Sequence, residues 1–337
     1  MAPSRRTFLR STVLVTTSLI AGCTAPATDG SDDADSPENE TPTETRTSTP
    51  SESATDAPEN EPFVLPESSV RTVGDVRIAV ANPAVRKAAV YESIMGSGGV
   101  LAPTDRQFVV AAVQHRERVN PDVPTEPPYD AFELVVDGET HPAVEIEERT
   151  TGAYTTSFAD RGRFRYDGPP IPKPRTVGWV AFEPPSPLDA DEATIRCRHD
   201  GDAAEWSLPG DAVTELGRRA PTFELRSFEA EVGSAGLNVE LSLVVENTSD
   251  VDGEFLAAVY WPTTGIADDD ESTIVRENVD PTGRVEWTQR FSTEYSGDAN
   301  GQATASVDGM VSASETVDLD TESTTPTETT TITDSAD

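Results

Sequence analysis

The sequence predicts an all-β protein: two antiparallel β-sandwich domains between a disordered N-terminal tether and a disordered C-terminal tail. Three observations predict it. Between residues 63 and 319 apolar side chains recur at every second position in short runs closed by Gly, Pro, Asp or Asn, the period of half-buried strands. No part of that region carries the 3.6-residue apolar repeat of a long amphipathic helix. Residues 24–62 and 320–337 hold almost no large apolar side chains, so burial cannot offset the entropy of ordering them.

From the N-terminus, Ser4-Arg5-Arg6-Thr7-Phe8-Leu9-Arg10 precedes a modest apolar stretch, residues 11–22, and then Cys23. This is the order of a signal peptide. The stretch falls short of the ~18–20 apolar residues of a permanent membrane span and is interrupted by hydroxyl side chains. The segment resembles the signals of twin-arginine-exported lipoproteins, with Arg5 and Arg6 followed by Phe8-Leu9 and a lipobox, Ile20-Ala21-Gly22-Cys23. That resemblance implies export through the twin-arginine translocase, removal of residues 1–22 and lipid attachment at Cys23. The membrane partner is then the outer face of the cytoplasmic membrane. One chain at about 0.8 kcal/mol per buried CH2 binds only marginally, so stable anchoring calls for two. Residues 23–62 form the tether, and a coil of ~40 residues spans on the order of 35 Å. Asn39-Glu40-Thr41 is a formal glycan acceptor within it.

The chain has 61 acidic and 25 basic residues, a net charge of -36, and only two lysines, Lys87 and Lys173. The composition resembles that of proteins from extremely halophilic archaea, where carboxylates and arginine replace surface lysine; an acidic disordered protein is the alternative reading. A nucleic-acid partner is excluded, because displacing phosphate counterions requires clustered basic surface. In brine the Debye length falls to about 3 Å at 1 M salt, so the charge serves solubility rather than steering.

Residues 63–220 read as the first sandwich. Val76, Ile78 and Val80 alternate; runs at 107–113, 132–136, 177–182 and 193–197 follow, and Trp206 and Leu208 close the series. Alternation places Ile195 and Cys197 on one buried face. With Cys23 lipidated, Cys197 has no disulfide partner. A short stretch, Gly210 to Ala220, predicts a helical turn. Residues 221–319 form the second sandwich: Phe223, Leu225 and Phe228 open it, residues 237–246 alternate clearly, and runs at 255–261, 272–279, 284–291, 302–307 and 311–319 bring the count to about seven strands. That is the size and count of one immunoglobulin-like domain.

The first domain resembles a family of exported, often lipobox-bearing immunoglobulin-like domains of unknown function. The resemblance rests on the strand at 75–80, the run Arg106-Gln107-Phe108-Val109-Val110, the stretch from Phe132 to Gly138, and Gly178-Trp179-Val180-Ala181-Phe182. The second is similar to archaeal surface modules in which a strand ends in a turn such as Val245-Glu246-Asn247-Thr248-Ser249-Asp250. Both resemblances imply architecture, since such folds share no active site.

No catalytic residue set, metal site or cofactor is predicted. A copper site built on Cys197 and His199 would need a further histidine downstream, and none follows. His115, His141 and His199 fall on different predicted elements, and the common zinc and calcium spacings are missing. The carboxylate run Asp268-Asp269-Asp270-Glu271 reads as a solvated loop. Gly96-Ser97-Gly98-Gly99 lacks the strand-to-helix setting of a nucleophile elbow. Against the acidic background one segment stands out: Arg161, Arg163, Phe164, Arg165 and Tyr166, followed by the Pro-rich residues 168–175. Arginines alternating with aromatics suit a surface that grips an acidic glycan or a partner protein; alternatively these arginines pair with carboxylates of their own domain. The expected function is a surface-anchored, non-enzymatic binding or structural module. The alternative is an accessory lipoprotein delivering a small ligand to a transport or envelope machine. A bilobal solute receptor would need alternating strands and helices.

Overall fold

The computed structural model describes residues 64–93, 98–118, 126–150, 155–167, 177–233, 236–263 and 270–319. Arg5, Arg6, Phe8, Leu9 and Cys23 lie outside them, as do the tether to residue 62, residues 168–175, Gly96, Ser97, Asp268, Asp269 and the tail from 320. The fold is all-β with antiparallel sheets packed as sandwiches, as the alternation predicts. Among the described residues no helix is long and apolar enough to cross a membrane.

The first sandwich contains β1 (Val70–Val73), β2 (Val76–Arg86), β3 (Ala89–Ser93), β4 (Gly99–Leu101), β5 (Phe108–Arg118), β6 (Phe132–Val136), β7 (Glu139–Pro142), β8 (Thr155–Phe158), β9 (Phe164–Arg165), β10 (Val177–Phe182), β11 (Ala193–His199) and β12 (Asp202–Ser207). One sheet runs β1-β2-β5-β10-β9, the opposing one β12-β11-β6-β7, and a small third sheet runs β4-β3-β8. The core between them holds Ile78, Phe108, Val110, Leu134, Trp179, Phe182, Ile195 and Cys197. Cys197 is fully buried beside Ile195, as alternation requires, and burial pushes its thiol up to about 12. The outer face of the first sheet is covered by the incoming chain. Leu65 packs on Ala79, Ala112 and Val177, its N–H donates to Gln114 Oε1 at 3.1 Å, and its carbonyl accepts from Arg116.

A two-turn helix, α1 (Gly210–Gly217), follows the first sandwich. Its last carbonyls would be left without partners by the ending of the helix. Leu216 O instead accepts from Leu188 N (2.8 Å) and from Gln107 Nε2 (3.0 Å). Glu215 O accepts from Lys87 Nζ at 3.3 Å, which also places a cation at the negative end of the helix.

The second sandwich comprises β13 (Phe223–Val232), β14 (Asn238–Asn247), β15 (Gly253–Pro262), β16 (Asp270–Val279), β17 (Arg284–Ser292), β18 (Gln302–Gly309) and β19 (Ala313–Asp318). Three strands, β13-β14-β17, face four, β16-β15-β18-β19. In β14 the alternation predicted from sequence is complete: Val239, Leu241, Leu243 and Val245 point inward and meet Phe255, Ala257, Val259 and Trp261 of β15. Leu237, expected at the head of that strand, precedes it and is exposed.

At one end of this sandwich the fully buried Asn247 joins two turns. Its Nδ2 donates to Val251 O (2.8 Å) and Asp280 O (3.2 Å), while Oδ1 accepts from Ser249 N (3.1 Å) and Ser249 Oγ (2.6 Å). The turn between β14 and β15 is thereby tied to the one between β16 and β17. Asn247→Ala removes every one of these bonds, while Val251 O keeps Ser249 Oγ (3.1 Å) and Asp280 O keeps Gly283 N (2.9 Å), a loss of roughly 1–2 kcal/mol. The urea midpoint of the full chain should fall accordingly, whereas Thr316→Ala, on the exposed strand β19, should leave it near the wild-type value.

Candidate functional site

Strand β15 is buried on both faces. Phe255, Ala257, Val259 and Trp261 fill the core of its own sandwich, while Leu256 and Ala258 point outward onto Ala88 and Val100 of the first. Val90, Ala102, Tyr260, Ile274 and Met310 rim this apolar seam. At Gly309 the neighbouring strand comes close enough to require glycine: a Cβ there would fall 2.7 Å from Leu256 O, and 3.2 Å from Val100 Cγ1 across the seam. The segment after α1 is also bound to the second sandwich. Arg218 pairs with Asp252 at 2.7 Å, Arg219 with Asp250 at 2.9 Å, and Thr248 N donates to Thr222 O at 2.8 Å.

Beside the seam lies a cleft of about 320 Å3, walled by the end of β2, the turn after β8, the end of α1, and strands β15 and β16. Arg86, Lys87, Arg218, Arg219 and Arg276 line it, against Asp160, Glu215, Asp252 and Glu254. In a chain of net charge -36 this local balance is reversed.

Lys87 is held at the wall by three acceptors: Gln107 Oε1 (2.6 Å), Ser186 Oγ (3.3 Å) and Glu215 O (3.3 Å). Gln107 is fully buried and donates to Pro185 O (2.7 Å) as well as to Leu216 O. A compact ammonium with three donors fits this set, where a planar guanidinium would not. Burial pushes the Lys87 ammonium down to about 8, with Glu215 opposing the shift and Arg218 adding to it.

The arginine–aromatic segment predicted from sequence divides. Tyr166 is buried, its ring 5.3 Å edge-on from Phe132 and its N–H on Trp179 O at 2.8 Å. Arg165 lies over the Tyr129 ring at 5.0 Å and pairs with Glu147 (3.3 Å) and Glu145 (3.5 Å). Phe164 begins β9, which pairs in parallel with β10, and the exposed Arg163 stacks on it at 5.5 Å. Arg161 turns toward the junction, near enough to Arg86 for that charge to add to burial in lowering its pKa. Arg163 and Phe164 therefore stay at the surface, Arg161 directly follows the cleft-lining Ala159 and Asp160, and Arg165 and Tyr166 are engaged within the first sandwich.

The three histidines sit on three strands, His115 on β5, His141 on β7 and His199 on β11. Among the described residues no three His, Cys, Asp or Glu side chains converge to hold a metal. Arg86, Lys87, Gln107, Arg218 and Arg276 were not singled out by motif reasoning. The one available signal was rarity, since Lys87 is one of two lysines in the chain.

No protein-family model matches the chain, and no curated protein matches it. Partial likenesses occur among solved structures. A β-glucosidase from Listeria innocua in complex with isofagomine gives a TM-score of 0.25 at 17% identity over 30% of this chain and 16% of that one. A DUF4785 family protein from Legionella pneumophila gives 0.23 at 9% identity over 73% and 57%. A β-glucosidase from Kluyveromyces marxianus in complex with glucose gives 0.22 at 11% identity over 71% and 49%. The chain spans about a sixth of the Listeria enzyme's length, and at such scores these likenesses carry no argument about activity or ligand.

The lysine at the cleft wall gives a direct test. Its folded-state pKa, about 8, lies below its ordinary 10.5, so between those values the unfolded chain binds the extra proton and stability rises with pH. In a pH series of Hε–Cε spectra, with only two lysines to observe, one signal should titrate near pH 8. Lys87→Arg should delete that signal and leave the other; a wild-type pair both titrating near ~10.4 would contradict the assignment.

Proposed function

We propose that this chain is a lipoprotein, exported by the twin-arginine route and held by lipid on Cys23 at the outer face of the cytoplasmic membrane. There it acts as a non-catalytic binding or structural module of two immunoglobulin-like sandwiches. The observation that supports binding is the gathering of basic side chains at the junction of an otherwise acidic chain. Arg163, stacked on Phe164, offers an exposed cationic and aromatic surface suited to an acidic glycan or a partner protein. A second reading, an accessory lipoprotein that delivers a small ligand to a transport or envelope machine, draws support from the cleft. Its volume of about 320 Å3 falls at the lower end of small-molecule sites.

Two measurements test these statements. Cys23→Ser should shift the protein from the membrane fraction to the medium or leave its precursor unprocessed; an unchanged membrane fraction would contradict anchoring through Cys23. Arg163→Glu should abolish capture of the cognate surface protein or glycan from membranes in native salt, with the unfolding midpoint unchanged. Undiminished capture would remove this segment from the contact surface. Reversal at Arg165 is unsuited to the purpose, because it would set a third carboxylate against Glu145 and Glu147.

A further inference from the structure

The turn that follows β8 breaks a local rule. Two other tight turns of the same sandwich, after β6 and after β11, place left-handed backbone at Asp137-Gly138 (φ +46° and +87°) and Asp200-Gly201 (φ +52° and +87°). Glycine stands second in each, as such turns prefer. After β8 the pair is Ala159-Asp160, at φ +51° and +56°, with no glycine. Each such residue costs on the order of 1–2 kcal/mol. The turn is held by Arg161 N on Phe158 O (3.2 Å) and Ala159 N on Val90 O (2.9 Å). Its strained pair lines the junction cleft, and the Arg86 charge adds to burial in lowering the pKa of the next residue, Arg161.

Among the described residues neither Arg86 nor Arg161 has a carboxylate within ion-pair distance, though the Asp160 charge acts on Arg161. Arg86 Nη1 donates to Val85 O at 3.2 Å and Arg161 Nη1 to Asp160 O at 3.3 Å, each the carbonyl of the preceding residue. Arg161 Nε is buried without a hydrogen bond. Across the cleft, Arg276 approaches Glu254 at 3.7 Å and Asp160 at 3.8 Å, beyond hydrogen-bond length. The remaining cations are engaged: Lys87 by its three acceptors, Arg218 by Asp252 and Arg219 by Asp250. Arg86 and Arg276, like charges lining one cleft with donors to spare, suit an incoming oxyanion, which guanidinium forks match in shape and charge.

We propose that the junction cleft binds an oxyanion, a carboxylate or a sulfate or phosphate ester, at the guanidinium of Arg86, with Arg276 facing it from the second sandwich. The assignment deepens the binding reading above and rests on it.

The test is calorimetric titration of the full chain with sodium sulfate, sodium phosphate and sodium glucuronate, each exchanged for sodium chloride at constant ionic strength. Thermal unfolding is followed in parallel. At least one oxyanion should bind saturably and raise Tm, and comparison of the three separates carboxylate from sulfate and phosphate. Arg86→Gln and Arg276→Gln should each weaken binding tenfold or more. Arg71→Gln should not, because its guanidinium bonds only the Ser68 and Val70 carbonyls on and before β1. Without ligand, Arg86→Gln should hold or raise Tm by relieving like-charge repulsion. Failure of all three anions to bind, undiminished binding in both cleft variants, or a ligand-free fall in Tm for Arg86→Gln would overturn the proposal. Should anchoring through Cys23 and Arg163-dependent capture persist in that event, only the ligand assignment falls.

Discussion

The burial of β15 on both faces is the constraint on which the rest of the molecule depends. An antiparallel strand at the surface of a sandwich normally wets one face. Here Leu256 and Ala258 carry apolar side chains on the face that would be wet, and that face is dry only because β3 and β4 cover it. The small sheet of the first sandwich thus exists as much for its neighbour as for its own core. Once those strands are seated, the end of β2 and the turn after β8 have nowhere to go but the edge of the seam, where they become the walls of the cleft.

The second fixed point is α1, too short at eight residues to be stable alone. Its C-terminal carbonyls are gathered by Lys87, Gln107 and Leu188 N, and the two arginines that follow are paired to Asp252 and Asp250. One buried polar node therefore orients the connection between sandwiches. Gln107 has its amide and carbonyl both used, so the node meets the requirement that a buried polar network be complete. Its single charge is the group whose ammonium form burial disfavours most, which makes the connection sensitive to pH in a range where arginine would be inert.

Much of the fold was legible because strands that bury one face write their geometry as alternation. β14 is the clearest case: every second side chain from Val239 to Val245 reaches the core. β15 departs from that pattern, and its unbroken run Phe255-Leu256-Ala257-Ala258-Val259-Tyr260-Trp261 is the signature of a strand buried on both sides, a sign that a second body covers it. β3, β4, β8 and β9 are too short, and β4 too rich in glycine, to show a period at all. Arg165 follows the alternative reading, pairing with carboxylates of its own domain, but which partners it and Tyr166 would find was not legible. Those partners are Tyr129, Phe132, Glu145 and Glu147, which reach them only through tertiary packing. The junction cleft has no motif because it is assembled from five separate elements, none of which carries the chemistry alone.

In an acidic chain the placement of the arginines has a physical logic. On the open faces of the second sandwich several are neutralised, as where Arg290 meets Glu240 at 2.7 Å or Arg226 meets Glu246 at 2.9 Å. Selectivity for an anion there would be lost to neighbouring carboxylates, and in concentrated salt long-range attraction is screened within about 3 Å at 1 M. Recognition under such conditions has to operate at contact distance, by fixed donors that an anion meets only after entering. The cleft is walled by charged side chains of both signs, Asp160 among them at 71% exposure, yet among the described residues Arg86 meets no carboxylate within ion-pair distance and its Nη1 bonds the Val85 carbonyl instead.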